Sequence, residues 1–159
     1  MGIVAGTGLT AGFRKANATA GVAPGSTPES THPIFGAAVE FQTLENLFIE
    51  VDGLYRPLHV KGDPAGFTVL TWQFPTLLKY KFRGRRLRAF AELGPSFRTT
   101  GNDNGYDPSL YGITVGAGVE ANLGKVKLAP TLRYIRWRAD SKPPGLIPNQ
   151  VEGIVGVSF

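Results

Sequence analysis

The sequence predicts an all-β chain, an eight-stranded antiparallel up-and-down transmembrane β-barrel. Apolar residues recur at every second position over long stretches, long polar connections alternate strictly with tight turns, and one face of every strand is free of charge while the other carries nearly balanced ions.

Period two is clearest from Leu87 to Phe97, where Leu87, Ala89, Ala91, Leu93, Pro95 and Phe97 alternate with Arg88, Phe90, Glu92, Gly94 and Ser96. Tyr111 to Leu123 repeats the pattern, with Tyr111, Ile113, Val115, Ala117, Val119, Ala121 and Leu123 on one face. No 3.6-residue stripe competes. Working outward, strands are expected near 2–13, 33–42, 47–58, 68–82, 86–98, 110–123, 125–137 and 149–159. The first carries Ile3, Ala5, Leu9 and Phe13 on its apolar face, the second Phe35, Ala37, Val39 and Phe41, and the third Leu47, Ile49, Val51 and Tyr55. The fourth carries Trp72, Phe74, Leu78, Tyr80 and Phe82; the seventh Val126, Leu128, Pro130, Leu132 and Tyr134; the eighth Val151, Val155, Val157 and Phe159.

Three connections are short: Thr43 to Asn46, Arg83 to Arg85, and a turn through Leu123 and Gly124, where glycine supplies the positive φ a hairpin needs. The others, 14–32, 59–67, 99–109 and 138–148, are long and rich in Pro, Gly, Ser, Asn and Asp. No linker interrupts the series, so one domain over residues 1–159 is expected.

Composition narrows the chemistry. The chain has no Cys and two His, which removes thiolate metal sites and Cys nucleophiles; no metal and no cofactor is expected. Charged residues make up 18%, against about 25% in soluble domains, yet no stretch of about 18 apolar residues could form a membrane helix. A barrel satisfies both facts, because alternation leaves the mean hydropathy near zero, at −0.04. The net charge of +5 does not imply nucleic-acid binding: the polar face holds seven bases against six acids, and the excess lies in loops, turns and strand ends.

The polar face is expected to point inward. Gly6, Gly8, Gly36, Gly94, Gly112, Gly116, Gly118 and Gly156 share it, and small residues make room in an interior just wide enough for side chains. Aromatics of the apolar face gather at both strand ends. Phe13, Tyr55, Trp72, Phe97, Tyr111 and Tyr134 lie at the long-loop end, and Phe41, Tyr80, Phe82 and Phe159 at the short-turn end, as two membrane-interface girdles would. A soluble lipocalin-like carrier shares the alternation with the faces reversed.

The inward ions define the candidate site, a lumen network of Glu40, Glu50, Asp52, Arg56, Lys79, Arg88, Glu92, Glu120, Lys127, Arg133 and Glu152. If Asn122 faces Lys125, Glu120 falls opposite Lys127. Around the Thr43 turn, Glu40 comes near Glu50, two like charges that need a base such as Arg56 or Arg88. Paired, these ions plug the lumen; as a gated path they would make a narrow passive channel for ions or small solutes.

With these motifs the chain resembles the small outer-membrane β-barrel domains of Gram-negative envelopes, which include OmpA-like, OmpX-like and opacity-type barrels. The resemblance rests on GIVAGTGLTAGF (2–13), FIEVDGLYRPL (48–58), WQFPTLLKYKF (72–82), AELGPSFR (91–98), the 111–137 hairpin and the last strand ending at Phe159. It implies outer-membrane lipid as surroundings, short turns in the periplasm, long loops outside, and a removed signal peptide ahead of Met1. It also implies that Val155, Val157 and Phe159 form the signal read by the barrel-assembly machinery, and that a surface ligand would meet the long loops.

Some barrels of this kind are lipid-modifying enzymes with a rim histidine. Here His32 and His59 lie at the loop end of neighbouring strands, but their parity sends them to opposite faces, and no hydroxyl residue follows at a recognisable spacing. No catalytic residue is expected. Asp103 and Asp107 in the GNDNGYDPS segment lack the full calcium-loop spacing. The densest basic run, Arg83, Arg85 and Arg86 with Lys79, Lys81 and Arg88 nearby, suits either a solvated turn or contact with anionic headgroups or peptidoglycan-associated partners.

Overall fold

The computed structural model of the chain describes residues 1–10, 27–28, 32–61, 67–101, 110–138 and 147–159. Eight strands follow one another: β1 (Gly2–Gly8), β2 (Pro33–Leu44), β3 (Leu47–Lys61), β4 (Phe67–Lys81), β5 (Leu87–Thr100), β6 (Tyr111–Leu123), β7 (Val126–Trp137) and β8 (Asn149–Ser158). Each pairs antiparallel with the next, and β8 pairs back with β1, so the sheet closes. Closure satisfies the backbone donors and acceptors that edge strands would leave open. The seam is in register through Ile3 with Val157 and Ala5 with Val155. Thr27–Pro28 adds a two-residue ladder to Val60 and Lys61 of β3, which the sequence did not announce. Among the described residues there is no helix.

The turns account for the registers. Leu123 pairs with Val126, so the β6–β7 turn is Gly124–Lys125, and Gly124 has φ of 75° as expected of it. Asn122 therefore faces Lys127, not Lys125, and the expected pairing of Glu120 with Lys127 is wrong by that slip. At the β2–β3 turn, strand structure runs on to Leu44 with a bulge between Gln42 and Leu44, and Glu40 does lie opposite Glu50.

The faces settle as alternation requires. Leu93 and Val115 are 55% and 49% exposed on the outside, while Glu92 and Glu120 are buried inside at 2% and 6%. Ile113, Leu132, Trp72 and Phe74 extend the exposed apolar surface around the cylinder. A lipocalin-like interior would need the reverse. The interior is not uniformly polar, however. Val4, Ile34, Leu54 and Ile154 form a small apolar cluster where β8, β1, β2 and β3 meet, and Leu77, Phe90 and Ile135 are buried on other strands, so hydrocarbon and ions share the lumen.

Small residues set the strand spacing at tight points. A Cβ at Gly94 would overlap the carbonyl oxygen of Thr76 on β4. Gly94→Val is expected to cost about 1–3 kcal/mol, as overpacking does, while Ala91→Val, on the outward face of the same strand, stays within about 0.5 kcal/mol. Urea unfolding midpoints of the refolded variants check both.

Candidate functional site

Inward positions of β2 to β7 converge on one ionic cluster at mid-height. Arg133 of β7 is its hub. Its Nε donates to Glu92 Oε1 at 2.5 Å, Nη1 to Asp52 Oδ2 at 2.5 Å and Nη2 to Glu50 Oε1 at 2.7 Å, with the guanidinium 2% exposed. A planar fork with several fixed donors suits three carboxylates from two different strands better than an ammonium would. The hub has room because position 116 lacks a side chain: a Cβ at Gly116 would lie 2.6 Å from Glu92 Oε1 and 3.1 Å from Arg133 Cγ.

Two lysines extend the cluster toward the short-turn end. Lys79 pairs with Glu50 and lies 3.6 Å from both Glu40 Oε2 and Glu92 Oε2. Lys81 bridges Glu40 and Glu120, at 2.6 Å to each. The like charges of Glu40 and Glu50 are thus relieved by Lys79, Lys81 and Arg133; the expected bases, Arg56 and Arg88, do not serve them. Arg56 instead pairs with Glu152 at 3.2 Å, both side chains fully buried. Arg88 is half-buried and donates from Nε to the Gly84 carbonyl at 2.9 Å. Lys127 is exposed beside Asn122 and pairs with no carboxylate among the described residues.

Two bases absent from the expected network also fill the lumen: Lys81 is part of the ion cluster, and Arg98 is bound by Gln150 and Trp137 instead of a carboxylate. Their parity on the polar face was the available signal, but their partners are not sequence neighbours. Aromatics missed for the same reason line the interior beside them. Lys79 Nζ lies 4.5 Å from the Phe90 ring centre, Lys81 Nζ 4.3 Å from Phe48 and Arg98 Cζ 3.7 Å from Trp137. Arg98 and Trp137 both donate to Gln150 Oε1 at 2.9 Å, and Ser96 and Thr114 share a 2.5 Å hydrogen bond. The long-loop half of the lumen is therefore packed: Arg56, Gln73, Gln150 and Glu152 are each fully buried. The short-turn half is not. A cavity of about 200 Å³ opens there, reaching Glu40, Glu50, Lys79, Glu120 and Arg133.

On the outer face, ring pairs gather at the strand ends. Phe35 packs on Tyr55 at 5.0 Å and Tyr55 edge-on to Trp72 at 5.3 Å, with Phe97 on Tyr111 at 5.8 Å. At the opposite end Tyr80 meets Phe82 edge-on at 5.2 Å. Tyr134, Phe41 and Phe159 are exposed, whereas Phe13 lies outside the described residues. Of the last-strand residues, Val155 and Phe159 are exposed and Val157 is half-buried. His32 is fully buried, and its carbonyl accepts from the Gly8 amide at 2.9 Å. The His59 side chain, Asp103 and Asp107 lie outside the described residues. Among the described residues no group of three or more His, Asp or Glu is placed to hold a metal ion.

No protein-family model matches the chain. No curated protein matches it either. Its fold is similar to the crystal structure of the outer membrane protein OprG from Pseudomonas aeruginosa, with a TM-score of 0.53 and 12% identity over 98% of this chain and 88% of that one. At that identity the likeness is one of fold.

Removing the hub leaves buried carboxylates without a counter-charge. Arg133→Met is expected to lose about 3–5 kcal/mol, and adding Asp52→Asn and Glu92→Gln to it restores most of the loss. Equilibrium unfolding in urea of the single and triple variants measures the difference.

Proposed function

We propose that the chain is an integral outer-membrane β-barrel with a charge-paired, plugged lumen, acting as a structural or surface-binding envelope protein through its long connections. One observation carries this reading: the apolar side chains form the outside of a closed cylinder and the ions its inside, an arrangement unfavourable in water and stable in lipid. The likeness to an outer membrane protein supports the location. Short turns then face the periplasm, the two groups of aromatics rest at headgroup level, and Val155, Val157 and Phe159 are assigned to recognition by the assembly machinery. We assign no catalytic residue, cofactor or metal.

A second reading, a narrow passive channel, is favoured by the 200 Å³ cavity at the short-turn end. It requires a way past Arg133 and then past Arg56, Gln73 and Gln150, all buried, which makes the plug the better reading.

In phospholipid vesicles the folded chain migrates differently on a gel before and after boiling, and Val115→Arg costs about 2–4 kcal/mol of stability, as an arginine at the lipid midplane does. A water-soluble monomer obtained without detergent would remove the membrane reading. In planar bilayers the unmodified chain gives no steady openings. Persistent single-channel current that changes on replacing Glu120 or Arg133 would establish the channel instead.

A further inference from the structure

The Arg83–Arg86 loop between β4 and β5 is too well built for a merely solvated turn. Its backbone is tied at both ends: Phe82 N donates to the Ala89 carbonyl and Asn122 N to the Arg86 carbonyl, each at 2.9 Å. Arg88 ties it from within through its bond to the Gly84 carbonyl, and a Cβ at Gly84 would overlap the Leu87 carbonyl oxygen. Against this loop and the neighbouring β2–β3 turn lies an open groove of about 470 Å³, lined by Glu45, Asn46, Phe82, Arg83, Arg85 and Arg88. Three guanidinium groups against one carboxylate give it a formal net charge of +2. Among the described residues, no carboxylate forms an ion pair with any of these arginines, in contrast to Arg56 and Arg133 of the lumen.

Position decides the ligand. Phe82 and Leu87 flank the loop on the outer face, 50% and 63% exposed, at the rim of the apolar belt. A molecule seated there meets hydrocarbon-compatible surface on one side and arginine forks on the other. We propose that this groove binds the phosphodiester headgroup of an anionic phospholipid of the adjoining leaflet, with Arg83 and Arg85 as anion donors and Arg88 holding the loop. This rests on the membrane reading above. A purely polar glycan would gain nothing from Phe82 and Leu87, whereas an acidic lipid uses both features.

Native mass spectrometry of the full chain, incubated in detergent with equimolar phosphatidylglycerol and phosphatidylcholine, tests it. The expected result is preferential retention of phosphatidylglycerol, reduced about fivefold for each arginine removed in Arg83→Gln and Arg85→Gln, and kept in Lys125→Gln, which lies on a different turn. Soluble glycerophosphoglycerol in excess should leave the adduct in place. If it displaces the adduct, the groove is a site for free anions and the lipid assignment falls. Equal retention of both lipids by a chain that inserts into vesicles overturns the headgroup site alone, and a chain that never inserts overturns the membrane reading and this site together.

Discussion

An eight-stranded cylinder is barely wider than the side chains that fill it, so an ion placed inside must be neutralised by another ion placed inside. That constraint organises the molecule. Arg133 meets it for three carboxylates at once, Lys79 and Lys81 for the pairs toward the short turns, and Arg56 with Glu152 closer to the long connections. Lys79 finds its carboxylates on the adjoining strands β3 and β5, but the partners of Arg133, Lys81 and Arg56 come from strands that do not touch theirs along the sheet. Arg133 on β7 reaches Asp52 on β3 across the lumen, so the ion pairs tie opposite walls together where backbone ladders tie only neighbours.

The interior is also divided. The cluster of Val4, Ile34, Leu54 and Ile154 offers no hydrogen-bonding side chains, and elsewhere in the same lumen three of the cations lie over Phe48, Phe90 and Trp137. Aromatic faces beside buried cations add favourable electrostatics without adding another charge that needs a partner. Packing tightens toward the long-loop end and relaxes toward the short turns, where the cavity lies. The outside inverts the usual rule for globular proteins, and the cost of exposing Leu93, Ile113 and Val115 to water is the physical reason to assign lipid as the solvent of that face.

Most of the scaffold was legible because a strand announces itself locally. Alternation at Leu87–Phe97 and Tyr111–Leu123 depends only on residues two apart, and strand ends agree with the observed ones to within a few residues, except that the first strand, expected to run to Phe13, ends at Gly8, before the described Leu9 and Thr10. Glu40 opposite Glu50 was legible too, since a short turn transmits register over a few residues. The same reasoning failed at Gly124, where a turn placed through Leu123 and Gly124 instead of Gly124–Lys125 sent Lys127 to the wrong partner. It also left out Lys81 and Arg98, and it named Arg56 and Arg88 as partners for the Glu40–Glu50 pair.

Sequence alone therefore determined the strand number, which connections are short and the division of residues between a charged and an uncharged face, because each follows from contacts within a strand or a hairpin. The tertiary structure alone decided which ion answers which. Arg56 and Glu152 are 96 residues apart, Arg133 and Glu50 83 apart, and they meet only because the sheet curls until its first and last strands join. Curvature and closure are properties of the whole sheet, and no pattern of period two encodes the distance across it.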